Sequence, residues 1–119
     1  MRAKFPNIHF DVYQIQNIRK LEGYSMIINA TPIGMKSFMA DEMPLEEKDL
    51  DTLDKNTIIY DIVYNPIKTV LIKKTQERGL KTISGLDMLI YQAQKAIEIW
   101  TGHLPDANIM KIAALEELR

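Results

Sequence analysis

The sequence contains no cysteine, which excludes disulfides, thiolate metal sites and a cysteine nucleophile. It has no apolar run approaching the ~20 residues that cross a bilayer. Met1-Arg2-Ala3-Lys4 is followed by Phe5-Pro6-Asn7 and not by the apolar stretch of a secretory leader, so a cytoplasmic location is the default. Neither sign of charge is in excess: 15 Lys and Arg stand against 16 Asp and Glu, for a net charge of -1. Nothing in that balance argues for nucleic acid or an anionic membrane as a partner. His9 and His103 lack ligand-like companions, so no metal site is expected. No G-x-G-x-x-G or other phosphate-cradling glycine-rich loop is present.

What remains is an ordinary globular composition. The 119 residues are 46% hydrophobic and 26% charged, enough for one domain with a real core. Residues 8–13 (IHFDVY) alternate and read as a strand, and 16–21 as a short helix ended by Gly23. Residues 25–29 (SMIIN) and 57–63 (TIIYDIV) are continuous apolar runs, the mark of strands buried on both faces. Between them, 36–55 is a polar, acidic loop with helical turns, anchored by Pro44, Leu45, Leu50 and Leu53. Asn65-Pro66 is expected to cap a helix over 66–78, with Gly79 as its stop and 81–83 as a third core strand. The longest helix is expected from Leu86 to Trp100. Leu86, Leu89, Ile90, Ala93, Ala96, Ile97 and Trp100 keep helical spacing without a break. That stripe, anchored by Trp100, is expected to be the best-buried surface in the chain. Ser84 is placed to cap this helix and Asp87 to favour its positive end, Gly102 ends it, and Asp106 caps a last helix through Leu118. Strands alternating with helices predict an α/β fold with a parallel sheet, whose ligands bind at the carboxyl ends of the strands.

Three motifs sit at those ends. Asn29-Ala30-Thr31-Pro32-Ile33-Gly34-Met35 leaves a strand and turns sharply, with Gly34 open to positive φ and Asn29 and Thr31 offering polar groups. Taken alone, it reads more readily as a plain strand-to-loop turn. Tyr60-Asp61-Ile62-Val63-Tyr64-Asn65-Pro66 puts the Tyr64 hydroxyl within reach of a ligand oxygen, or makes Tyr64 a packing residue. In Gly85 to Gln92 (GLDMLIYQ), Met88 and Gln92 share a helix face beside the apolar stripe. Gln92 there either faces a cleft, where its amide can donate to and accept from a polyol, or is solvated.

Together NATPIGM, YDIVYNP, GLDMLIYQ and Trp100-Thr101-Gly102 resemble, in order and spacing, the carboxyl-terminal half of shikimate dehydrogenases. The resemblance runs from about Ser25 to Pro105. It implies a Rossmann-like, NADP-dependent oxidoreductase that interconverts shikimate and 3-dehydroshikimate. By motif position it places Tyr64 and Gln92 on substrate, and Ile62 and Gly85 against the nicotinamide through backbone atoms. Asn29, Thr31 and Pro32 would line the nucleotide crevice. Asp87 stands where many members have glycine. The family's catalytic lysine–aspartate pair, its glycine-rich pyrophosphate turn and its Asn-Arg-Thr segment find no counterpart here, so no catalytic residue is assigned. The resemblance therefore implies a partial Rossmann-type sheet, without its first two strands and without the amino-terminal substrate domain. Strand 25–29 would be an apolar edge, and either strand 8–13 moves beside it or the chain pairs with a second copy or with the missing portion. A quinate/shikimate dehydrogenase fragment and a non-catalytic binding module that keeps only the fold remain as alternatives.

Overall fold

The computed structural model describes residues 8, 9, 11–14 and 21–118. The elements run β1 (Met26–Asn29), α1 (Glu47–Leu50), β2 (Ile58–Asp61), α2 (Val70–Glu77), β3 (Lys81–Ser84), α3 (Gly85–Thr101) and α4 (Ala107–Glu117). The three strands form one parallel sheet in the order β1-β2-β3. The alternation of strands and helices predicted this architecture, and the strands fall within one residue of the expected runs or inside them.

Both crossovers step the same way across the sheet, and right-handed crossovers then lie on one face. The register puts Ile27, Ile59 and Thr82 on that face, with Asn29, Asp61 and Ser84 one pleat further on. Ile59 packs there with Leu50 and Leu71, and Ile27, Met43, Leu45 and Leu53 surround them. The leucine anchors expected in the long loop are thus real. α1 is also clasped to α2 by Glu47 with Lys74 and Arg78, and by Asp51 with Arg78. The hydrogen bond from Lys74, then that from Arg78, holds the Glu47 carboxyl below the usual range.

The opposite face carries Met26, Ile58 and Lys81, then Ile28, Tyr60 and Ile83. Met26 is 42% and Ile28 54% exposed. A parallel sheet is ordinarily covered on both faces; on this face Ile58, Tyr60 and Ile83 are half-buried, and the β1 side chains are left open. The strand expected over 8–13 does not supply the cover. Its described residues Ile8, His9, Asp11, Val12 and Tyr13 belong to no strand and are exposed, and Phe10 lies outside the described residues. The outer edge of β1 is therefore open among the described residues. The short helix expected over 16–21 also lies outside them, except for Leu21, which is buried.

Two further expectations are corrected. Asn65-Pro66 does not start a helix: residues 65–68 form a bend. The helix starts at Val70, because the Thr69 side chain accepts from Ile72 N at 3.2 Å and satisfies a first-turn amide. The stripe of α3 is the second. Only Gly85, Leu86 and Ile90 are buried, and Trp100 is 79% exposed. The cause is a mismatch of lengths. Seventeen helical residues span about 25 Å, whereas a four-residue strand spans about 13 Å, so α3 runs past the sheet. Beyond the sheet it packs with α4 and the turn before it: Gln94 Nε2 donates to Pro105 O at 2.7 Å, and Asp87 in its first turn pairs with Lys111 of α4. Ser84 holds the N-cap position without a side-chain cap bond, whereas Gly102 (φ 73°) and Asp106 terminate and cap as expected. No helix among the described residues is long and apolar enough to cross a membrane.

Urea unfolding of single variants measures this asymmetry. Leu71→Ala is expected to cost about 2–5 kcal/mol and Trp100→Ala no more than about 0.5 kcal/mol. A Trp100 loss as large as that of Leu71 would place the far half of α3 in a packed interface.

Candidate ligand cleft

The carboxyl ends of β1 and β2 are tied together by a buried carboxylate. Asp61 is fully buried. Its Oδ1 accepts from Asn29 Nδ2 at 2.9 Å and from Val63 N at 3.1 Å, and its Oδ2 accepts from the Thr69 hydroxyl at 2.6 Å. One side chain thus holds the end of β1, the turn that follows β2 and the cap of α2.

Asn29 carries the network into the next loop. Its Nδ2 also donates to Ile33 O, and its Oδ1 accepts from both the amide and the hydroxyl of Thr31, at 3.0 and 2.7 Å. The Thr31 hydroxyl in turn accepts from Ile33 N. Gly34 adopts φ 92°, the positive value expected of it, and its amide donates to Met39 O at 3.0 Å. The loop after β1 is then stitched to the turn after β2 by Lys36 N donating to Asn65 O at 2.8 Å.

Between these two segments lies a cleft of about 700 Å³, lined by residues 30–32 and 35–37 on one wall and 62–65 on the other. Its apolar wall includes Ala30, Pro32, Ile62 and Val63, and its polar groups come from Thr31, Lys36, Ser37, Tyr64 and Asn65. Tyr64 is 41% exposed. The structure thus gathers four of the seven residues singled out above, Thr31, Pro32, Ile62 and Tyr64, around one opening. Asn29 lies buried beneath it, with both amide atoms engaged. Gly85 stands behind Ile62. A Cβ on Gly85 would fall 2.1 Å from the Ile62 carbonyl oxygen and 2.9 Å from the Val63 carbonyl carbon, so the first turn of α3 rests directly on the turn after β2. Gln92 is exposed and is not among the cleft-lining residues. It lies seven residues beyond Gly85, about 10 Å along the helix. Asp87 is paired with Lys111 of α4, so its charge is met within the fold.

Sequence reasoning missed Asp61 and Thr69. The signal was there: a carboxylate inside the otherwise uncharged run TIIYDIV has to be hydrogen-bonded if the strand is buried.

A short parallel α/β sheet with a mixed apolar and polar cleft at the carboxyl ends of its strands defines a Rossmann-like α/β protein. Comparison with known proteins narrows this. Residues 85–115 match the shikimate 5'-dehydrogenase C-terminal domain. The chain is 41% identical over 108 residues to the NADP(+) shikimate dehydrogenase of Archaeoglobus fulgidus, covering 90% of this chain and 39% of that one. A solved shikimate dehydrogenase in complex with NADP+ superposes with a TM-score of 0.74 at 40% identity, over 82% of this chain and 33% of the other. The quinate dehydrogenase of Corynebacterium glutamicum in complex with NAD superposes with a TM-score of 0.69 at 32% identity, over 79% of this chain and 32% of the other. The chain belongs to the shikimate dehydrogenase family and corresponds to the carboxyl-terminal part of its members. It spans between a third and two-fifths of the length of these relatives.

Removing the Asp61 acceptor tests the network. Asp61→Ala leaves Asn29 Nδ2 and Val63 N without this buried partner and is expected to cost about 3 kcal/mol or more. Gly85→Ala is expected to cost about 1–3 kcal/mol through overpacking against Ile62. Denaturation midpoints unchanged in both would mean that the strand ends are not held as described.

Proposed function

We propose that this chain is the carboxyl-terminal portion of the NADP-binding domain of a shikimate dehydrogenase. It would bring Tyr64 and Gln92 to the substrate and the backbone of Ile62 and Gly85 to the nicotinamide. Asn29, from beneath, and Thr31 and Pro32, at the surface, would shape the nucleotide crevice. The observation that carries this reading is the convergence of the NATPIGM and YDIVYNP segments on one cleft, through Lys36 N to Asn65 O and the Asp61 bridge. Relatives about 40% identical are NADP(+)-dependent shikimate dehydrogenases, which supports the assignment.

The residues present fit part of the cofactor. The apolar wall and the flanking hydroxyls suit a ring and its sugar, but no glycine-rich turn is available to receive a pyrophosphate at a helix N-terminus. NADP, when bound, supplies the hydride exchange that interconverts shikimate and 3-dehydroshikimate. The chain's own part is to orient the substrate through Tyr64 and Gln92 and to exclude water along Ile62 and Val63. Among the described residues, the ionisable side chains lining the cleft are Lys36 and Tyr64, and neither is assigned as the acid or base of the reaction.

The isolated 119 residues are therefore expected to show no NADP-dependent shikimate oxidation, because positioned proton transfer is missing. Calorimetry is expected to give an NADP Kd of about 1 mM or weaker, near -4 kcal/mol. Turnover by the purified chain, abolished by Tyr64→Phe, would sink the claim of inactivity; micromolar NADP binding would reveal a phosphate site elsewhere. The similarity to a quinate dehydrogenase keeps a second polyol acid in view. Shifts in Tyr64 and Gln92 resonances with quinate but not with shikimate would favour it.

The same reading bears on assembly. The open β1 edge and the uncovered face around Met26 and Ile28 suit association, with a second copy or with the remainder of such an enzyme. Light scattering of the purified chain is expected to find particles larger than one chain. A well-behaved monomer across the concentration range would refute self-association.

A further inference from the structure

One feature of the cleft is used neither by the fold nor by the family assignment. Among the ten described residues that line it, Lys36 alone carries a full charge. The backbone of Lys36 is fixed by its bond to Asn65 O, in a loop closed by Met35 N to Pro32 O and Phe38 N to Met35 O. The Lys36 backbone is thus held at the rim of the cleft, and its exposed side chain extends from there. Elsewhere Lys48, Lys74, Lys95, Lys111 and Arg78 each have a carboxylate partner. No ion pair with a described residue engages Lys36. Lys55, Lys68, Lys73 and Lys81 share that lack of a partner, but none of them borders this cleft.

An unpaired cation beside an apolar wall attracts anions more strongly than the same cation on an open surface, because the low-dielectric wall reduces screening. The hydroxyls of Ser37 and Tyr64 on the same lining add hydrogen-bond donors suited to an oxyanion. We propose that Lys36 selects the charge of the cleft's ligand, pairing with an oxyanion while the uncharged part of the ligand lies against Ile62 and Val63. Resting on the shikimate dehydrogenase reading, the proposal admits two sources of that oxyanion, a nucleotide phosphate or the carboxylate of the polyol acid.

The full chain, labelled with ¹⁵N, is titrated at low salt with inorganic pyrophosphate, with shikimate and with the methyl ester of shikimate. Lys36→Gln, Lys36→Arg and, as a control, Lys73→Gln are titrated in parallel. Shifts are expected in the amides of residues 35–37, with the ester binding about threefold or more weakly than the acid. Lys36→Gln is expected to lose the same factor, Lys36→Arg to retain binding, and Lys73→Gln to leave it unchanged. A stronger response to pyrophosphate than to shikimate assigns the oxyanion to phosphate, and the reverse to carboxylate. Equal binding of acid and ester together with pyrophosphate shifts that survive Lys36→Gln would overturn the proposal, as would the absence of any shift at 35–37. Pyrophosphate shifts that depend on Lys36, with no response of Tyr64 or Gln92 to shikimate or quinate, would leave Lys36 as an anion site and defeat the substrate roles proposed for Tyr64 and Gln92 instead.

Discussion

The cleft depends on a single buried carboxylate. Leaving Asp61 without partners in the interior would cost several kcal/mol, and the fold meets that demand with three donors from three places. Asn29 comes from the end of β1, Val63 N from the turn after β2, and Thr69 from the cap of α2. Because all three must be in place at once, the strand ends and the helix start are fixed relative to one another. Asn29 then passes the constraint on to Thr31 and Ile33. The two cleft walls inherit their positions from this network, and the side chains facing the opening need only be mounted on it.

The sheet is covered more fully on one side than on the other. Two crossovers in the same direction bury Ile59 between Leu50 and Leu71 and leave Met26 and Ile28 uncovered behind it. α3 repeats the pattern on a larger scale, with its first turn pressed against Ile62 and its far end carrying an exposed Trp100. Both bare surfaces lie on a chain that spans about two-fifths of a relative's length. The core beside the cleft thus fixes its walls, whereas the apolar side chains of Met26, Ile28 and Trp100 away from it stand exposed.

The sequence by itself determined the parallel α/β class, the three core strands, the long helix with its glycine terminator, and the family, because those follow from local runs, periodicity and motif spacing. It placed Thr31, Pro32, Ile62 and Tyr64 at strand ends, and the cleft gathers them there. It did not reveal the helix start at Val70, since an Asn-Pro cap and a threonine cap look alike until the Asp61 partner of Thr69 is known. Nor could apolar spacing along α3 say what, if anything, would cover Trp100. Periodicity reports which side chains share a face, whereas burial depends on whether another element extends far enough to meet that face. Only the tertiary structure decided that, and with it the role of Asp61, whose three partners come from segments that the sequence separates and the fold brings together.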